Sequence, residues 1–139
     1  MIELDNRTSL TVDEPLLLQI TNSLTNKDIE LIITTNDEIQ KINAQHRGID
    51  KATDVLSFPY EEMPMSPLGS IVIAESFVKE KAKDLGHTNN NEMTLLYIHG
   101  LLHLLGYDHE VDNGEMRDEE SALIKKFDLP TSLIVRTQG

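Results

Sequence analysis

The chain has 139 residues with 24 Asp and Glu against 12 Lys and Arg, a net charge of −12 at pH 7; this length suits a single domain, 1–139, with its own core. Such acidity opposes general affinity for polyanions, so a nucleic-acid role would need a local basic surface or a bound cation. Cysteine is absent, which excludes disulfides and thiolate metal sites and leaves only nitrogen and oxygen ligands.

The opening MIELDNRTSL lacks the basic and apolar regions of a signal peptide. The longest apolar stretch, Leu95 to Leu105, is interrupted by two histidines and is too short to span a bilayer. A soluble, cytoplasmic protein is the expectation. Asp13 to Leu24 reads as a helix, with Leu16, Leu17, Ile20 and Leu24 at helical spacing and Pro15 in the first turn. Asp28 to Thr34 is β-branched and strand-like. Asn36 is placed to cap a following helix whose Ile39 and Ile42 face the core. Gly48 breaks that pattern, and Asp54 to Pro59 reads as a short strand ended by proline. Tyr60 to Pro67 reads as a loop and Leu68 to Ala74 as a buried strand. Glu75 to Leu85 is a helix closed by Gly86, and Asn91 to Leu105 a helix closed by Gly106. Glu115 to Phe127 forms a last amphipathic helix. The mixture lacks strict alternation, so an α+β class is expected, with a small mixed β-sheet and about five helices.

Three of the five histidines fall between positions 99 and 109. Residues four apart share one face of a helix, so His99 and His103 can present imidazoles to one ion. Gly106 offers the left-handed turn that brings His109 back toward them. Three nitrogens with one open position is the arrangement of a catalytic zinc, one ion per chain. HxxxHxxGxxH is also the metzincin ligand pattern, but metzincins carry a glutamate base directly after the first histidine. Gly100 occupies that position, which weakens a peptidase reading. Asp108 is open between an acceptor behind a ligand imidazole, a fourth ligand and a plain turn residue.

Two blocks carry a family resemblance. His99-Gly-Leu-Leu-His103-Leu-Leu-Gly-Tyr-Asp-His109 and Arg47-Gly-Ile-Asp-Lys-Ala-Thr53-Asp54-Val-Leu-Ser57-Phe58-Pro59 resemble the HGxLHLxGYDH and RxxxxxTDVLSFP signatures of the YbeY-type bacterial endoribonucleases. The resemblance spans roughly Asn43 to Phe127, with a Leu68-Gly69 strand between the blocks and a Met-x-x-E element (Met116, Glu119) after them. It implies that His99, His103 and His109 hold zinc and that Arg47 is the arginine needed for RNA cleavage. It further implies a role in rRNA maturation and ribosome quality control, with rRNA precursor and the ribosome as partners and no membrane or DNA. Two positions depart from the family pattern. Ser70 stands where an aspartate is usual, and Ala52 where a proline commonly precedes the Thr-Asp pair.

The chemistry these residues support is phosphodiester hydrolysis. A metal ion activates the nucleophile without a glutamate base, and a guanidinium pairs with phosphate oxygens. Attack by water and attack by the RNA 2′-hydroxyl both stay open. Thr53, Asp54 and Ser57 are candidates for the wall of a substrate groove, with a turn pair and a sheet hydroxyl as the plainer alternatives. Lys41, His46, Arg47 and Lys51 form a local basic cluster, whereas Lys79, Lys81 and Lys83 spread around their helix. Aromatic residues are few, so weak intrinsic RNA affinity is expected, with a ribosomal partner supplying targeting. Two alternatives stand beside the nuclease: a non-catalytic ribosome-assembly factor with a structural metal, and a metal-dependent hydrolase of another substrate.

Overall fold

The computed structural model describes residues 1–60, 66–108 and 113–130. In chain order its elements are β1 (Ile2–Asn6), α1 (Glu14–Asn22), β2 (Ile29–Thr34), α2 (Asn36–Arg47), β3 (Val55–Pro59), β4 (Gly69–Ala74), α3 (Glu75–Leu85), α4 (Asn89–Leu104) and α5 (Glu115–Lys126). The four strands form one mixed sheet in the order β1-β2-β4-β3. β1, β2 and β4 run parallel, and β3 is antiparallel to β4 at the edge. Among the described residues the α+β class, with a mixed sheet and five helices, holds.

Period-two alternation sends the strand side chains to two separate cores. Ile29, Leu31 and Ile33 of β2 and Ile71 and Ile73 of β4 pack with Leu17, Ile20, Met93 and Leu101 from α1 and α4. On the opposite face Leu56, Val72 and Ala74 meet Ile39, with Ile42, Phe58 and Phe77 against them. Helices cover both faces, so β4 is buried at every residue; this is why Gly69 to Ala74 reads as a continuous apolar run rather than an alternating one. β1 is absent from the expectations drawn above. Its two apolar residues, Ile2 and Leu4, alternate with Glu3 and Asp5, and only pairing with β2 makes the segment a strand. The cap of α2 is also one residue earlier than expected: the Thr35 hydroxyl, not Asn36, accepts from the Glu38 N–H at 3.3 Å. Of the expected loop at 60–67, residues 61–65 lie outside the described residues.

α4 is the helix on which the site rests. Thr88 caps it by accepting from the Asn91 N–H at 3.1 Å, and Tyr97 anchors its middle. The Tyr97 hydroxyl donates to Thr21 Oγ1 at 2.6 Å, and Thr21 donates to the Leu17 carbonyl at 2.8 Å. Burial pushes the Tyr97 hydroxyl up to about 12, against the opposing pull of its bond to Thr21. An unfolded tyrosine ionises near 10, so the folded state's advantage is complete below that pH. It is lost as pH rises toward 12, a change of about 2–3 kcal/mol. Urea midpoints of the wild type are expected to fall between pH 9.5 and 11.5, and Tyr97→Phe should remove most of that fall. A variant that loses stability in parallel with the wild type would show that another group drives the alkaline transition.

Candidate active site

His99 and His103 project from one face of α4, as their spacing requires, and each ring is held from behind. His99 Nδ1 lies 3.0 Å from Glu120 Oε1 of α5, and His103 Nδ1 lies 3.0 Å from the Tyr107 carbonyl oxygen. A carbonyl can only accept, so His103 Nδ1 carries a proton; the Glu120 carboxylate holds His99 in the same tautomer. Both Nε2 lone pairs then face one another, 3.1 Å apart. Two lone pairs at that distance repel unless a positive centre lies between them. A tetrahedral ion bound at ~2.0–2.1 Å separates two such nitrogens by about 3.3 Å, so the donor set fits a zinc-like cation. The third expected ligand, His109, lies outside the described residues, and among these no group of three His, Cys, Asp or Glu residues is arranged to hold a metal.

Two glycines shape this arrangement. Gly106 takes φ +100°, and the Tyr107 N–H returns to the Leu102 carbonyl at 3.0 Å. That closure places the Tyr107 carbonyl under His103. Gly100 lets α4 lie close on the sheet: a Cβ there would sit 3.0 Å from Ile71 Cγ2 and 3.4 Å from Val55 Cγ2. A side chain at 100 is therefore directed at the Ile71 and Val55 side chains. The position where a metzincin keeps its base is committed to packing in this chain.

The histidines open into a cleft of about 490 Å³ lined by Arg47, Asp54, Val55, Leu56, Ser57, Pro59, His99, Gly100, His103 and Asp108. Residues from α2, the edge strand β3 and α4 thus share one space. Arg47 is the last residue of α2, where Gly48 in the left-handed conformation stops the helix. The following segment is tied back by Asn43 Nδ2 to the Lys51 carbonyl and Gln40 Nε2 to Asp50 Oδ1, both at 2.9 Å. Arg47 is exposed, with no side-chain hydrogen bond or ion pair among the described residues. In a chain with twice as many acids as bases, a guanidinium left open in a cleft is set apart from a salt-bridged surface arginine.

The other candidates divide. Ser57 is on the α4 side of the sheet, opposite Ile71. Asp54 lines the cleft but also accepts from the Val55 N–H at 2.8 Å. Thr53 is not among the lining residues, and its hydroxyl donates to Asp54 Oδ1 at 3.4 Å. Asp108 lines the cleft and is exposed. The expected basic cluster disperses. Lys41 lines a separate hollow with Asp37, Gln40 and Asp50, and the His46 ring packs on Phe58 with centroids 5.2 Å apart.

Glu120 is the residue that sequence reasoning missed. The motif pointed to Met116 and Glu119, yet the carboxylate behind His99 is Glu120, only 5% exposed. Its signal was an acid on the same helical face as Met116, Leu123 and Ile124, where an apolar residue is the norm. The serine at 70 has a physical account. Its hydroxyl lies 3.0 Å from Glu30 Oε2 and 2.5 Å from the Tyr60 hydroxyl, itself 2.7 Å from the same carboxylate. An aspartate there would set two carboxylates against each other. The Tyr60 hydroxyl is raised: its bond to Ser70 pulls it down, but burial and the bond and charge of Glu30 outweigh that.

The family model described as endoribonuclease YbeY matches residues 5–128. A protein of Sulfurimonas denitrificans named endoribonuclease YbeY is 66% identical over the full length of both chains. One of the same name from Aliarcobacter butzleri is 60% identical, over 98% of this chain and 99% of its own. A solution structure from Thermotoga maritima superposes with a TM-score of 0.63 at 29% identity, covering 91% of this chain and 89% of that one. With a cleft that gathers the arginine and histidine blocks and a match across nearly all of its length, the chain belongs to the endoribonuclease YbeY family.

Proposed function

We propose that this protein is a zinc-dependent single-strand endoribonuclease acting in rRNA processing, at the 3′ end of the small-subunit rRNA, and in ribosome quality control. RNA cleavage follows from family membership. The observation that carries the site assignment is the pair of Nε2 atoms 3.1 Å apart, with both Nδ1 atoms already engaged, beside Arg47, whose side chain has no partner among the described residues. His99, His103 and His109 would hold one zinc ion, which when bound supplies a Lewis acid and lowers the pKa of water.

The chain's own residues do the rest. Glu120 and the Tyr107 carbonyl fix the ring orientation, so that no reorganisation is needed when the site fills. Arg47 donates paired hydrogen bonds to the non-bridging phosphate oxygens, strongest as negative charge grows on phosphorus. Gly100 leaves the first turn beyond His99 without a carboxylate, which suits a scissile group that is itself anionic. The acidic surface disfavours tight binding to naked RNA, and delivery of the rRNA precursor by the ribosome in the cytoplasm answers that.

The test is to incubate zinc-replete protein with rRNA precursor beside His103→Ala and Arg47→Ala, each checked for native circular dichroism. Cleavage is expected to be lost in both variants, and elemental analysis is expected to find one zinc per chain in the wild type. Undiminished cleavage in both would assign the activity to a contaminating nuclease. Zinc bound at one per chain without any cleavage would favour an assembly factor with a structural metal.

A further inference from the structure

The edge strand β3 uses only half of its backbone hydrogen-bonding groups against β4. The Ala74 N–H donates to the Asp54 carbonyl and the Tyr60 N–H to the Leu68 carbonyl, each at 3.0 Å. Antiparallel ladders alternate, so Asp54, Leu56, Phe58 and Tyr60 turn their backbone groups toward β4, and Val55, Ser57 and Pro59 turn theirs outward. The register agrees, because Pro59 stands opposite Gly69 at a position where no ladder bond is required of it.

On that outer edge the donors are nearly all removed. The Val55 N–H is held by Asp54 Oδ1 at 2.8 Å, and Pro59 has none. The carbonyls of Val55, Ser57 and Pro59 remain, with a single donor, the Ser57 N–H. None of these four groups has a hydrogen-bond partner among the described residues. Val55, Ser57 and Pro59 line the same cleft as Arg47 and the two histidines. A peptide adding to this edge as a strand would meet no donor at either Val55 or Pro59, so the edge is blocked as a continuous ladder. A run of carbonyls also repels phosphate oxygens and leaves these to Arg47.

We propose that the Val55 carbonyl and the Ser57 N–H together read the Watson–Crick edge of one unpaired base beside the scissile phosphate. The inference rests on the endoribonuclease reading and deepens it. The carbonyl of one residue and the N–H of the second residue after it point the same way along a strand, an acceptor beside a donor. Every nucleobase carries a donor beside an acceptor on that edge, so the contact tolerates any base. The edge is free only where the base is unpaired, so the same contact rejects duplex. Single-strand selection is thereby built into the backbone of the cleft wall.

Equilibrium binding tests this without requiring cleavage. Short labelled single-stranded oligouridylates carry one N3-methyluridine, a neutral base lacking its Watson–Crick donor, at each position in turn, and affinity is read by fluorescence anisotropy. Methylation at one position is expected to weaken binding by wild type about ten-fold, the effect of one hydrogen bond, with the other positions tolerant. Ser57→Pro, which deletes the outward N–H from an edge strand, is expected to bind about ten-fold more weakly than Ser57→Ala, which keeps it. In Ser57→Pro the penalty for methylation at the sensitive position should also shrink. Equal tolerance at every position, or equal affinity of the two Ser57 variants, overturns the proposal. Where Ser57→Pro does not fold, the methylation series alone decides. Position-specific binding without cleavage would sink the nuclease reading and keep this one; cleavage without position-specific binding would do the reverse.

Discussion

Replacing Glu120 with alanine is expected to weaken both zinc binding and RNA cleavage by about 10–100-fold, although Glu120 itself is not expected to touch the ion. Its carboxylate, 3.0 Å from His99 Nδ1, holds the imidazole in the tautomer that turns the Nε2 lone pair toward His103. Without it the half-buried ring can flip or move its proton to Nε2, where that proton would oppose a cation. Glu120→Gln keeps an acceptor oxygen and loses only the charge, so it should recover part of the loss. A competition titration against a zinc-binding indicator measures this directly. Zinc affinity equal to wild type in Glu120→Ala would remove the positioning role. Equal loss in the alanine and glutamine variants would place the effect in the negative charge rather than in the hydrogen bond.

Gly69→Ala is expected to be the most damaging single-methyl substitution on the sheet, by about 3 kcal/mol. A Cβ at position 69 would fall 2.4 Å from the Phe58 carbonyl oxygen, 2.7 Å from Leu104 Cδ2 and 3.0 Å from Pro59 Cα. Two of those three atoms are backbone and cannot rotate away, so β3 would have to separate from β4. That is a large fraction of the ~5–15 kcal/mol by which domains are stable. Gly100→Ala meets only the side-chain atoms of Ile71 and Val55 at 3.0–3.4 Å and should cost less. Urea denaturation of both variants checks the order. A Gly69→Ala midpoint equal to wild type would show that β3 yields without cost. Because β3 is also the cleft wall and Leu104 follows His103 directly, a folded Gly69→Ala protein should lose activity along with stability.

Local chemistry made much of this legible in advance. Gly86 and Gly106 both adopt the left-handed conformation their positions called for, at φ 72° and 100°. The apolar run at 69–74 and the helical spacing in α3, α4 and α5 located those elements to within two residues at every boundary. β1 was illegible because two apolar residues among acids do not outweigh the turn propensity of Asp5 and Asn6; its conformation is supplied by β2. Glu120 was illegible for a related reason. An acid on a core-facing helical position is unfavourable by itself, and the imidazole that repays its burial lies 21 residues away.

What the sequence determined alone is therefore local: which segments are helix or strand, that His99 and His103 share a face, and that Gly100 excludes a neighbouring base. What only the tertiary structure decided is convergence. Packing α2 and α4 on opposite faces of the sheet, with β3 at its edge, brings Arg47 into the cleft of the histidines and turns Thr53 out of it. The same edge position turns the Val55 carbonyl and the Ser57 N–H away from β4. Whether a backbone group is free is a property of strand order, and no residue type encodes it.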